Sequence, residues 1–221
     1  MTATEFWDER YATRPKIWSG RANQALVDVA TDLAPARALD LGCGEGGDAI
    51  WLAARGWIVT AVDISTIAVQ RGRAAAASAG VPPARITWVA QDLAEGVPDG
   101  PYDLVTASFL QSPVELARTA ILQAAAAAVG PGGHLLVVSH AAPPPWATQL
   151  DAHHHEFPTP ASELAALGLS AEQWDVVVAE VRGRPATGPD GERARIDDTV
   201  VLVRRQAEPA GQDASPTPPL F

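Results

Sequence analysis

Cysteine is almost missing from this chain. Cys43 is the single one among 221 residues, which excludes an intramolecular disulfide and a four-cysteine zinc site. Lysine is equally scarce: Lys16 is the only one among 16 basic residues, a bias we attribute to genomic base composition. Basic charge as a whole is short, with 26 acids against 16 bases and a formal charge of −10. Such a balance repels phosphate backbones and disfavours sequence-blind nucleic-acid binding. No apolar run approaches the roughly 18 residues a membrane span needs. The alanine-rich stretch 74–79 is too short and is flanked by Arg73 and Gly80. Residues 1–10 carry no positive segment leading into an apolar one, so no targeting peptide is expected. These absences predict a soluble, cytoplasmic protein with neither nucleic acid nor membrane as partner.

What is present is a globular mixture, 47% hydrophobic and 19% charged, in a length that suits one domain with an appendage. Short apolar runs alternate with helical patterns. Strands are predicted at 36–41, 57–63, 86–90, 102–107 and 134–139. Helices are predicted at 48–55, at 67–79 before Gly80, and at 114–129 after a Ser112-Pro113 start. This order is the signature of a parallel sheet with helices on both faces. The pattern changes after His140. A proline- and histidine-rich loop, a short helix at 159–167 and two strands, 174–181 and 199–204, follow without a second crossover helix. The link at 183–197 contains Gly-Pro-Asp-Gly, so the last two strands are expected to form an antiparallel hairpin. Residues 207–221 are rich in Pro, Ala, Ser and Gly and are expected to form a disordered tail.

Chemistry concentrates in Ala38-Leu-Asp-Leu-Gly-Cys-Gly-Glu-Gly-Gly47. Gly42, Gly44 and Gly47 satisfy the G-x-G-x-x-G spacing of a dinucleotide loop. The underlying need is broader: a sharp turn at a strand end and bare backbone for a ligand to approach. Asp40 shifts the balance away from a diphosphate. A carboxylate two residues before the first glycine repels a pyrophosphate but suits a cationic ligand. S-adenosylmethionine carries a sulfonium and an ammonium group.

The segment D-L-G-C-G-E-G, with an acid ending the next strand at Asp63, resembles the class I S-adenosylmethionine-dependent methyltransferases. The third strand ends Gln91-Asp92-Leu93, the fourth continues as Ser108-Phe-Leu-Gln111, and Pro131-Gly-Gly leads the fifth, each similar to the family's segments in the same order. The resemblance covers roughly residues 36–205. It implies a Rossmann-like, seven-stranded, mostly parallel sheet with an antiparallel C-terminal hairpin. It also implies S-adenosyl-L-methionine as cofactor, with Asp63 on the ribose hydroxyls and Asp92 at the adenine amino group. The cofactor set expected is Trp18, Asp40, Gly42, Cys43, Gly44, Asp63, Ile64, Gln91, Asp92, Leu93 and Ser108. The opening, Phe6-Trp-Asp-Glu-Arg-Tyr11 then Ile17-Trp-Ser-Gly-Arg-Ala-Asn23, resembles tellurite-resistance and thiopurine-type methyltransferases, with Ala22 where a proline is expected. In those, the N-terminal segment folds over the cofactor, so residues 1–24 are expected to form a covering arm on a 25–206 domain. Trp7, Tyr11 and Trp18 offer an aromatic cover for a sulfonium.

The resemblance implies a small-molecule acceptor, with a soft S, Se or Te centre or a small N or O nucleophile. Phe109, Gln111, His153 and His155 are candidate acceptor contacts, and His140, at the fifth strand's end, is the candidate general base. Consecutive histidines on an extended chain point to opposite faces, so one metal could take His153 and His155 but not all three histidines, and no functional metal is expected. Cys43 reads as a small packing residue, and Gly46 and Gly47 as helix-packing positions. Two other readings stay open at this level: an NAD(P)-dependent oxidoreductase using the same glycines, and an S-adenosylmethionine-binding module without transfer activity. The oligomeric expectation is a monomer or homodimer.

Overall fold

The computed structural model describes residues 1–146, 157–188 and 191–207. Helix α1 (Ala3–Ala12) and helix α2 (Gln24–Ala30) precede the sheet. Then come β1 (Arg37–Leu41), α3 (Gly47–Ala54), β2 (Ile58–Asp63), α4 (Thr66–Ser78), β3 (Ile86–Ala90), β4 (Tyr102–Ser108), α5 (Arg118–Ala127) and β5 (Val129–His140). Helix α6 (Pro160–Leu167) and the long strands β6 (Trp174–Thr187) and β7 (Arg193–Arg205) complete the fold.

The strands form one seven-stranded sheet in the order β3-β2-β1-β4-β5-β7-β6. The first five are parallel. Strand β7 runs antiparallel to β5, and β6 antiparallel to β7. Alternation along each strand separates two cores. Ala38, Leu104, Leu136, Val200 and Leu202 face one, with Leu26, Leu52 and Trp57 from the α2 and α3 side. Leu39, Val105, Leu135, Val201 and Val203 face the other, with Ile121 and Leu122 of α5 and Leu167 of α6. Each fully buried valine, leucine or isoleucine among them stabilises the fold by about 1.5–3 kcal/mol. The expected two-faced α/β architecture is therefore the observed one.

Local signals set most helix starts. Thr2 and Glu5 form a capping box on α1, Asn23 caps α2, Ser65 caps α4, and Thr159 with Ser162 caps α6 ahead of Pro160. Three sequence expectations need correction. Strand β5 begins at Val129, not at 134, and takes in residues 130–133. Helix α5 begins at Arg118, not at 114. The Ser112 hydroxyl instead accepts the Val114 N–H in a local turn at 3.2 Å and receives the Trp7 indole N–H at 3.3 Å. Arg118 marks the true start because its guanidinium bonds the Leu110 carbonyl, Ser139 and Glu163. The residues expected to link the last two strands pair with each other instead, from Gly183↔Asp197 to Thr187↔Arg193, so the hairpin is much longer than predicted. Gly188 N–H donates to the Glu192 carbonyl at 2.8 Å, one step beyond the last of these pairs.

Candidate functional site

Strand order reverses between β1 and β4, and ligands of open α/β sheets bind at that switch point, beyond the strands' C-terminal ends. The glycine turn lies there. Gly42, Gly44 and Gly46 have φ of +67°, +53° and +82°, which side-chain-bearing residues rarely adopt. A methyl group on Gly42 would stand 2.8 Å from Leu110 Cδ1, and one on Gly46 2.4 Å from the Trp88 ring. Gly46 thus serves helix and indole packing, as its sequence position suggested. The Cys43 N–H donates to the Val62 carbonyl at 2.9 Å and fastens the turn to β2. Burial, with Asp63 and Asp40 nearby, pushes the Cys43 thiol well above its ordinary value, so it packs rather than reacts.

Three carboxylates lie around this turn. Asp40 is 2% exposed. Its Oδ1 accepts the Thr106 hydroxyl at 2.9 Å, whereas Oδ2 is buried without a partner among the described residues. Burial, then the charges of Asp48 and Asp63, raises Asp40 to about 8, with Thr106 and the Ala49 amide opposing. Asp48, in the first turn of α3, accepts the Asn23 N–H at 2.6 Å, and burial raises it too. The Ser108 hydroxyl is buried without a well-formed hydrogen bond and favours the charge of Asp48. Asp63 ends β2, accepting Gly44 N–H at 2.8 Å and Ser65 N–H at 2.9 Å. Burial raises it to about 6, the two amides and Asp8 acting after that. A buried carboxylate oxygen without a partner is costly unless a donor or cation meets it. The group implied by the sequence, a nucleoside carrying a sulfonium and an ammonium, is the kind of cationic donor that such acceptors fit.

The N-terminal segment crosses this crevice. Asp8 of α1 receives the Ser65 and Thr66 hydroxyls at the start of α4. Trp7 reaches Ser112 beyond β4. Trp18 Nε1 donates to the Tyr11 hydroxyl at 2.8 Å. Both rings sit on Gly44, where an added Cβ would meet Trp18 Cδ1 and Tyr11 Oη at 3.1 Å each. Burial, then Asp63, raises the Tyr11 phenol, keeping it a neutral donor and acceptor. Glu45 clamps the segment: its Oε2 accepts Ile17 N–H at 3.1 Å and Trp18 N–H at 3.0 Å, and its Oε1 pairs with Arg71 at 3.1 Å. Arg71 also donates to the Tyr11 carbonyl at 2.8 Å. Gly47 belongs to this contact, because a Cβ there would stand 2.8 Å from the Arg21 carbonyl oxygen.

Of the remaining cofactor candidates, Asp92 caps a short 3-10 turn by accepting Ala94 N–H at 2.9 Å, and Gln91 bonds the Gly96 carbonyl at 3.0 Å. Leu93 is buried in the second core, and Ile64 is half-buried just past β2. Of the acceptor candidates, Phe109 and His140 stack with centroids 4.3 Å apart, and Gln111 Oε1 accepts the His140 N–H at 3.2 Å. His153 and His155 lie outside the described residues. No group of three metal-binding side chains exists among those described. Sequence reading missed Asp8, Glu45, Asp48 and Arg71. Only Asp48 carried a signal, as an acid in a first helical turn beside the glycines; the others act through contacts distant in sequence.

Comparison with known proteins follows the same line. The model of the methyltransferase domain family matches residues 13–177. An uncharacterised methyltransferase of Mycobacterium tuberculosis is 35% identical over 120 residues, 54% of this chain and 58% of that protein. The ubiquinone biosynthesis O-methyltransferase of Xanthomonas euvesicatoria is 32% identical over 135 residues, 61% of this chain and 56% of that protein. The matches thus span little more than half of these relatives. Among solved structures, the N-methyltransferase NodS of Bradyrhizobium japonicum with S-adenosyl-L-homocysteine superposes with a TM-score of 0.67 at 19% identity, covering 92% of this chain and 99% of that one. TehB of Haemophilus influenzae gives 0.61 at 18% identity, covering 92% and 66%. Glycine turn, acid-lined switch point, closing antiparallel strands and matched family model agree: the chain belongs to the methyltransferase domain family.

Proposed function

We propose that this protein transfers the methyl group of S-adenosyl-L-methionine to a heteroatom of a small-molecule acceptor, a soft S, Se or Te centre or a small N or O nucleophile. The observation that carries the reading is the buried Asp40 carboxylate with its unpartnered Oδ2 beneath the glycine turn. In this reading Asp40 meets the cofactor's positive amino-acid end, and Gly42, Cys43 and Gly44 present backbone to it. Asp63 and Ile64 meet the ribose, and Gln91, Asp92, Leu93 and Ser108 border the adenine and methyl-bearing portions. When bound, the cofactor supplies a methyl group made electrophilic by its sulfonium. The chain's part is alignment and exclusion of water. The arm supports this, since Trp7, Asp8, Tyr11 and Trp18 tie it to the ends of β1, β2 and β4 together. The net charge of −10 favours a small molecule over nucleic acid, and no helix among the described residues is long and apolar enough to cross a membrane. We place the activity in the cytoplasm, in a monomer or homodimer.

Titration calorimetry with S-adenosyl-L-methionine and S-adenosyl-L-homocysteine tests the reading, and binding of both is expected. Absence of heat at millimolar cofactor overturns it. Binding without turnover of any acceptor in a labelled-methyl screen would instead leave a cofactor-binding module.

A further inference from the structure

Beyond the C-terminal ends of β4 and β5 lies a cluster that the cofactor reading leaves unused. His140, at the end of β5, lies directly opposite Asp198 of β7 in the antiparallel register. Its Nδ1 stands 3.2 Å from Asp198 Oδ1. Asp198 is buried, and its other oxygen accepts Nε of Arg184, which compensates its charge. The His140 ring stacks on Phe109 at an interplanar angle of 26°, and the Arg184 guanidinium lies 5.4 Å from the same ring. Phe109 has φ +55°, the only non-glycine residue with positive φ among those described. A left-handed phenylalanine is strained and must be held by its surroundings, an arrangement that clusters at functional sites.

A carboxylate facing Nδ1 accepts a hydrogen bond only when Nδ1 carries the proton, so neutral His140 keeps its lone pair on Nε2. No described residue bonds Nε2. Resting on the methyltransferase reading and narrowing its acceptor, we propose that His140 is a general base whose tautomer Asp198 sets, and that the acceptor atom is a hydroxyl oxygen. A thiolate, selenide or telluride attacks without a base, and a neutral amine already presents its lone pair. A hydroxyl gains most from losing its proton as the bond forms. The acceptor oxygen forms the new bond to the methyl carbon, and that carbon's bond to the cofactor sulfur breaks with its electron pair left on sulfur. The hydroxyl proton passes to Nε2. Asp198 is a positioning residue; Arg184 and Phe109 hold the pair in place.

The test uses the full chain, its His140→Gln and Asp198→Asn variants, and a probe panel of phenol, catechol, benzylamine and hydrosulfide with labelled cofactor. Long-range proton–nitrogen NMR is expected to show Nδ1–H at His140 in the unmodified protein. In Asp198→Asn, Arg184 takes the amide oxygen, the NH2 group faces Nδ1, and the tautomer reverses. Hydroxyl methylation is expected to fall about 10²–10⁴-fold in His140→Gln, as a loss in kcat, while cofactor affinity stays within twofold. Because Asp198→Asn removes charge from a buried pair, His140→Gln, at a half-buried position, carries the test should that variant not fold. An Nε2–H tautomer in the unmodified protein, hydroxyl turnover within threefold in His140→Gln, or a panel methylated only at sulfur or nitrogen, or not at all, overturns the proposal. Loss of cofactor binding in the unmodified protein strikes the methyltransferase reading instead.

Discussion

Asp40 shows how one buried side chain bears on the stability of this site and, in the proposed reading, on its ligand. Buried, with one oxygen unpartnered, it is raised to about 8, and Asp63 to about 6. Both acids bind protons more tightly in the folded than in the unfolded chain, whose aspartates titrate near 4. Between about pH 4 and 8 the native state therefore holds the extra protons, and stability of the cofactor-free protein falls as pH rises through that window. Urea midpoints at pH 5 and pH 8 should show the lower value at pH 8. A cationic ligand favours ionised Asp40, so its binding near pH 7 should release protons. Calorimetry in buffers of differing ionisation enthalpy measures that release. Asp40→Asn should weaken cofactor binding about 10–100-fold, the worth of a charge-assisted hydrogen bond, and flatten the pH dependence of stability. Position two before the first glycine was enough to single out Asp40. Its missing partner and the proximity of Asp48 required the folded chain, because Asp48 reaches it from the next helix.

At the scale of elements, the N-terminal arm is held by a few directed contacts, not by an apolar seam. Trp18 remains 47% exposed although its ring lies on Gly44. Its docking depends on Glu45, which accepts two consecutive amides of the arm and pairs with Arg71. In Glu45→Gln the amides of Ile17 and Trp18 should exchange with deuterium about tenfold faster or more, with no comparable change in β4 or β5. Gly46 offers a contrast within the same turn. A Cβ there meets both a positive φ and the Trp88 ring at 2.4 Å, so Gly46→Ala should destabilise the fold by about 2–4 kcal/mol in denaturant titration. The aromatic residues of the arm were legible from the sequence. The clamp was not, since Glu45 reads only as a polar residue among glycines.

Across the whole molecule, the two ends of the sheet are built differently. The β3-β2-β1-β4-β5 half rests on crossover helices, whereas the β5-β7-β6 half is a long antiparallel ribbon that joins the core through the pairing of β7 with β5 and the buried residues 200–203. Glu163 is 1% exposed and receives both terminal nitrogens of Arg118, at 2.9 and 2.7 Å, together with the Ser139 hydroxyl. This network joins α5, β5 and α6, and Ser139 in it is the chain neighbour of His140. Removing one partner of such a pair leaves the other uncompensated, so Glu163→Gln should cost about 3–5 kcal/mol. An equilibrium unfolding curve checks it. A loss below about 1 kcal/mol would mean that Arg118 finds solvent instead.

The sequence by itself determined the alternation of strand and helix, the glycine turn, the acids at the ends of β1 and β2, and the closing hairpin. Each of these is written in neighbouring residues: period-2 and period-3.6 apolar patterns, capping side chains, and backbone that only glycine tolerates. Tertiary structure alone decided where α5 begins, how far β6 and β7 run, which acid clamps the arm, and that His140 faces Asp198 while stacking on Phe109. Those outcomes depend on pairings such as Arg118 with Glu163 and His140 with Asp198, 45 and 58 residues apart. A local pattern carries no record of such partners, because the energy that selects them arises only when strands and helices pack.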